Sequence, residues 1–132
     1  MSGSASRRKG NRAEVEVVRV LREAGYEAQT SRDARGGSQG GADIVSNFPA
    51  SIEVKNQARL DLAGWWKQAE EQAGDGLAVV IHKRVGKSQA EDWWVTMDVK
   101  TLLRLLTVTR GLPPGITWRV MYDMNDAVDD LL

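Results

Sequence analysis

Cysteine is absent from the chain, which excludes disulfide cross-links, thiolate nucleophiles and cysteine-ligated zinc or iron–sulfur centres. Histidine occurs once, at His82, so a bound metal would have to sit on oxygen ligands or on that one imidazole. No apolar run approaches the roughly 20 residues that a bilayer crossing needs. The opening Met1-Ser2-Gly3-Ser4-Ala5-Ser6-Arg7-Arg8-Lys9 has none of the apolar stretch that marks a secretory signal. A cytoplasmic protein without a membrane partner is the expectation. Internal repeats and long linkers are missing too, and 132 residues with 42% hydrophobic and 27% charged side chains read as one compact domain able to bury a core.

The formal net charge is zero, but the charge is unevenly spread. Residues 1–12 hold Arg7, Arg8, Lys9 and Arg12 and no acid, whereas residues 123–132 hold Asp123, Asp126, Asp129 and Asp130 and no base. Without those four aspartates the 18 basic residues face 14 acidic ones. A mildly basic body permits a polyanionic partner without requiring one. The expected organisation is a disordered basic arm over 1–8, a single domain over 9–122 and an acidic tail over 123–132.

Hydrophobic periodicity predicts a helix over 9–24, where Ala13, Val17, Val18, Val20, Leu21 and Ala24 share a face and Gly25 ends it. A short strand over 26–30 follows, then a glycine-rich loop over 31–41. Strands over 42–46 and 51–55 are separated by Asn47-Phe48-Pro49-Ala50 as a turn. A second helix over 60–73 has Asp61 as its cap and Gly74 as its stop. The all-apolar run before His82, over 77–82, reads as a strand covered on both faces. A strand over 93–97, a helix capped by Asp98 through Leu106, and a late strand over 115–122 complete an α/β order, a mixed sheet flanked by helices.

The pattern that carries chemistry is Asp43, nine residues, then Glu53-Val54-Lys55. In a strand Glu53 and Lys55 point the same way, about 7 Å apart, while Ile52 and Val54 point into the core. A tight hairpin centred on Phe48 would set Asp43 opposite Glu53, with Cβ atoms roughly 4.5–5.5 Å apart. Opposed carboxylates repel and raise a pKa, so a fold that keeps the pair needs a cation to hold it. Magnesium, which takes one or two carboxylates plus water and phosphate oxygens, matches that offer. Lys55 would then stand where it orients or deprotonates a water and neutralises charge on a phosphate. Glu14 borders the apolar stripe of the first helix with Val18 and Leu21, an acid aimed at something.

The run Lys9-Gly10-Asn11-Arg12-Ala13-Glu14, a helix, a Gly/Ser loop, Ala42-Asp43-Ile44-Val45 and Ile52-Glu53-Val54-Lys55 resembles the archaeal and phage Holliday-junction resolvases of the PD-(D/E)XK nuclease superfamily. The resemblance spans residues 9 to about 83. It implies a restriction-endonuclease-like core with a central mixed sheet flanked by helices, and a metal-dependent DNA endonuclease of DNA recombination. It further implies two Mg2+ or Mn2+ ions per site, and a symmetric homodimer that cuts opposed strands of a four-way junction, in the host cytoplasm if phage-encoded. By position, Asp43 and Glu53 would be metal ligands with the Val54 carbonyl, Lys55 the water-activating residue, and Glu14 a ligand or water contact. Ala42 stands where the superfamily signature has proline, and Val15 where such resolvases often carry arginine. Two alternatives stay open: a superfamily nuclease of other DNA specificity, phage or restriction type, and a non-catalytic DNA-binding protein with a vestigial site.

DNA contacts are expected from Arg7, Arg8, Lys9 and Arg12, from Arg32 and Arg35 flanking the glycine loop, and from Lys83 and Arg84 after the buried strand, with Lys87 nearby. Ser38 falls where resolvases place a loop serine, and Gln68 resembles a glutamine that some superfamily nucleases hold near the metal. Of Trp65-Trp66 and Trp93-Trp94, one member of each pair should be core and the other partly exposed. His82 is expected to be structural.

Overall fold

The computed structural model describes residues 3–35 and 42–110. The chain divides into two compact units, residues 1–97 and 98–132. The strand expected over 115–122 and the acidic tail lie outside the described residues.

The first unit opens with helix α1, Gly3–Glu23. Residues 3–8, expected to be a disordered arm, are therefore its first turns. Apart from Gly3 nothing in Ser4-Ala5-Ser6-Arg7-Arg8 breaks a helix, and extending an existing helix costs far less than starting one. Gly25 adopts φ 98°, and Tyr26 N–H returns to the Leu21 carbonyl at 2.9 Å, closing the helix in the left-handed turn that favours glycine.

Next come β1, Ala28–Thr30, and a one-turn helix α2, Ser31–Arg35, inside what the sequence presents as loop. The Thr30 side-chain oxygen accepts Asp33 N–H at 3.2 Å and starts that turn. Strands β2, Ile44–Ser46, and β3, Ser51–Lys55, were expected to pair as a hairpin, and they do not. Instead β2 runs antiparallel to β1, with Thr30 opposite Ile44 and Ala28 opposite Ser46, while β3 runs parallel to β4, Ala78–His82.

The cause lies in the four residues between them. Asn47 continues the β1–β2 ladder, donating to the Glu27 carbonyl at 3.1 Å and accepting Glu27 N–H on its side chain at 2.9 Å. Phe48 packs edge-on against Tyr26, ring centres 5.2 Å apart. The would-be turn is committed to the β1 side.

Strand β5, Trp94–Thr96, adds antiparallel to β4 after a 3-10 turn at Ala90–Asp92. The chain is thus α/β with a mixed sheet, order β3-β4-β5, and a two-stranded β1-β2 sheet beside it. Helix α3, Leu62–Ala73, starts on Asp61, whose carboxylate accepts Gly64 N–H at 3.1 Å, and stops at Gly74. It lays Trp65 and Ala69 on Ala78 and Val80. Register puts Glu53 beside Val80 and Lys55 beside His82, so the catalytic candidates share the α3 face of the sheet. Ile52, Val54 and Val79 point to the other face, and α1 packs on β3 there with Ala13, Val17 and Val18 buried. Trp65 and Trp93 are core, Trp66 is half-buried and Trp94 exposed, as alternation in a helix and a strand requires.

In the second unit, α4 covers Val99–Arg110, four residues longer than its expected end at Leu106. The Asp98 carboxylate accepts Thr101 N–H at 2.8 Å as its cap. No helix among the described residues is long and apolar enough to cross a membrane.

Ile52 is 1% exposed at the centre of the face that α1 covers. Ile52→Ala should cost about 2–5 kcal/mol of unfolding free energy in a urea titration; a loss under about 1 kcal/mol would mean the face is not close-packed.

Candidate active site

Asp43 reaches the site from the end of β2 by a route other than a hairpin. Ser31 N–H donates to the Asp43 carbonyl at 3.0 Å and the Ser31 hydroxyl donates to the Ala42 carbonyl, extending the β1–β2 ladder one step and fixing the Asp43 backbone. The Asp43 carboxylate then accepts Val54 N–H through Oδ2 at 2.8 Å. That side chain occupies the β3 edge where a neighbouring strand would bond. In an extended strand a residue's N–H and C=O point to the same side, so the Val54 carbonyl faces the same edge.

Glu53 is 4% exposed, and its Oε1 lies 3.4 Å from the Lys55 ammonium. Lys55 also donates to Gln68 Oε1 on α3 at 2.7 Å. The lysine is thus held between a carboxylate and an amide, its aim set by the helix that packs on the sheet. Glu14, next to Ala13 at the start of the buried stretch of α1, lines the same cavity of about 510 Å3 as Asp43, Glu53, Val54, Lys55 and Gln68.

The electrostatics mark these acids out. Burial raises Glu53 to about 7, with the Asp43 charge adding to the rise and Lys55 opposing it. Glu14 is also raised to about 7, by burial first and Asp43 second, while Arg32 pulls it down. Asp43 is raised by burial in spite of the Val54 N–H and Lys55. Three carboxyls that share a cavity and resist ionisation are the environment in which acid–base groups work near neutral pH.

The donors fit a hard divalent cation. Asp43, Glu53 and Val54 line one cavity and would offer only oxygen donors, and magnesium takes one or two carboxylates and fills the rest with water. Among the described residues no three Asp, Glu or His side chains stand close enough together to ligate one ion by themselves. His82 is not one of the donors: it is buried on the α3 face, its Nε2 is 2.8 Å from the Thr96 hydroxyl, and its ring lies between Trp65 and Trp94. Its Nδ1 finds no hydrogen-bond partner among the described residues, and burial lowers its pKa.

The remaining candidates divide. Lys9 lines the cavity with the acids, and Arg12 and Lys83 line a second one. Arg32 is exposed on α2, where Asn11, with its amide oxygen turned to that helix, accepts from it at 2.7 Å. Arg7 and Arg8 are exposed on α1. Arg84 stands apart, stacked 4.8 Å from the Trp94 ring and donating to the Asp92 carbonyl at 3.1 Å. Arg35 closes α2, and Ser38 lies outside the described residues. The sequence reading missed Ser6, Gly10 and Asn56, which also line the acidic cavity. Helical spacing from Glu14 back to Gly10 and Ser6 carries the signal for two of them, and the strand position after Lys55 for the third.

Two outcomes follow. Asp43→Ala removes the acceptor for Val54 N–H and should cost about 1–3 kcal/mol in chemical denaturation, whereas Asp43→Asn, which keeps an oxygen there, should cost less than half as much. The second concerns pH. Glu53 holds its proton more tightly folded than unfolded, so between about 4.5 and about 7 the native state binds more protons and stability falls as pH rises through that window. Metal-free protein should therefore lose melting temperature across it, and Glu53→Gln should flatten that slope; an equally steep slope in the variant would assign it to other groups.

Comparison with models of protein families, with curated proteins and with solved structures finds no match.

Proposed function

We propose that the chain is a divalent-metal-dependent DNA endonuclease. The observation that carries this reading is the shared cavity in which Asp43, Glu53 and the Val54 edge of β3 meet Lys55 and Glu14. Three acids beside the braced Lys55 ammonium suit a phosphodiester poorly unless a cation is shared, and suit it well when one is. Magnesium or manganese, held by Asp43, Glu53 and the Val54 carbonyl, would supply Lewis-acid polarisation of the phosphate and of a water. Glu14, which lines the same cavity, would be available to a second ion.

The chain's own groups supply the rest. Lys55, braced by Glu53 and Gln68, donates to a non-bridging phosphate oxygen and meets the negative charge that grows as water attacks. Glu14, which lines the same cavity, would accept a proton from that water. The bond that breaks leaves a 3'-hydroxyl and a 5'-phosphate. Packing of α3 against β3 and β4 fixes Gln68 and with it the aim of the lysine, so the arrangement is preformed.

Within this class the resemblance to Holliday-junction resolvases favours branched DNA and a homodimer, which brings two sites to opposed strands. A four-way junction and a linear duplex of the same sequence, each with Mg2+, Mn2+ or EDTA, test it. Cutting in Mg2+ and none in EDTA is expected, with the junction preferred; equal cutting of both removes the junction specificity and leaves the nuclease. Asp43→Asn and Lys55→Ala should each lower the rate by at least about 100-fold while DNA binding persists. A chain that binds DNA and never cuts it, with any divalent metal, sinks the enzyme.

A further inference from the structure

Beside the acidic cavity, and in the same unit, lies a second cavity of about 400 Å3. The two are lined by adjacent faces of α1. Ser6, Gly10 and Glu14, four residues apart, turn to the first, whereas Arg12, Ala13 and Glu16 turn to the second. Lys9 and Asn56 line both. They form the wall between them, because Asn56 Nδ2 donates to the Lys9 carbonyl at 3.4 Å and ties the end of the catalytic strand to the helix.

The second cavity is cationic where the first is acidic. Lys9, Arg12 and Lys83 line it, with the Ser88 hydroxyl on its rim. The one acid, Glu16, is already spent: its carboxylate binds Arg19 at 2.6 Å and accepts Ala90 N–H at 3.0 Å, and these contacts hold its pKa below the usual range. Lys83 is placed by the sheet itself, since its N–H donates to the Lys55 carbonyl at 2.9 Å. His82 on β4 is the register partner of Lys55, so Lys83, one residue further on, faces the opposite side of the sheet from Lys55. The volume exceeds what a single phosphate needs and accommodates a phosphodiester with its flanking sugars.

We propose that this cavity binds a phosphate of the DNA strand being cut, one or two nucleotides from the bond that breaks, with Arg12 and Lys83 as positioning residues and Asn56 marking the step from one phosphate to the next. The proposal rests on the nuclease reading and adds to it a path for the strand: across the α1 ridge, from the acids to the cations. Binding energy from a non-reacting phosphate orients the scissile one. Contacts of this kind set register and carry no base preference.

The test is phosphate interference. Substrates carrying one neutral methylphosphonate at successive positions around the cut are assayed in Mg2+ with the wild-type chain and with the doubly substituted Arg12→Ala, Lys83→Ala chain. For the wild type, KM is expected to rise about tenfold at one or two positions beside the cut, with a smaller change in kcat. In the double variant KM starts about tenfold higher, and the neutral group at those positions adds less than about twofold. The salt slope of DNA binding should fall by roughly 2, and Arg12→Lys with Lys83→Arg should recover most of the loss. Both side chains are exposed, and circular dichroism checks that the variants fold. If the double variant stays as sensitive as the wild type at those positions, the subsite is overturned and the nuclease stands. If the wild type binds DNA but cuts nothing, the nuclease reading falls; unchanged affinity and salt slope in the double variant would then overturn the phosphate site as well, and a reduced slope would uphold it.

Discussion

One hydrogen bond, from Val54 N–H to the Asp43 carboxylate at 2.8 Å, joins what would otherwise be two separate pieces of sheet. It stands in for a main-chain rung between β2 and β3, and it is made by the acid that the site needs. Structure and chemistry therefore draw on the same side chain. A main-chain rung would have closed the β3 edge and taken up the Val54 carbonyl. A side-chain rung holds the edge at a distance, turns the Val54 carbonyl toward the same space and brings a negative charge beside Glu53. Charge-assisted bonds of this kind are the stronger sort, which suits a contact that must hold against the repulsion it creates.

That repulsion is the second constraint. Burial and the Asp43 charge push Glu53 and Glu14 to about 7, so folding without a counter-ion keeps protons on groups that lose them readily in water. A fold can tolerate such a site because apolar packing surrounds it: Ile52, Val79 and Val80 are almost fully buried in and beside the strand that bears Glu53. These contacts hold β3 in place, and Asp43 is tied to it through Val54 N–H. The same trade appears generally where function asks for groups that stability would remove.

The sequence made much of this legible. Period-two alternation in Ile52-Glu53-Val54-Lys55 placed Glu53 and Lys55 on one face, helical spacing placed Glu14 on the buried side of α1, and the Asp61 and Asp98 caps were read from their positions. The pairing of strands was not legible. Asn47-Phe48-Pro49-Ala50 has the composition of a hairpin turn, and only the partners of Asn47 and Phe48, Glu27 and Tyr26 on a segment some twenty residues earlier, send it the other way. Local composition cannot express a choice between two non-local partners. Asp43 met Glu53 all the same, by a side-chain bond where a register was expected. The helical start at Gly3 was missed for a related reason, since polar composition reads as disorder until a helix behind it is known to be folded.

Arg19 gathers three carboxylates, Glu16, Glu23 and Glu91, each within 2.7 Å, and so clamps the 3-10 turn to α1. The clamp does two things that look unrelated. It anchors the far end of the segment that follows Lys83, and it cancels the one negative charge among the cations of the second cavity. Loss of that guanidinium, which lines neither cavity, would at once slacken the wall of the second one and leave an uncompensated carboxylate in its lining. A residue outside the cavity thereby governs the charge within it.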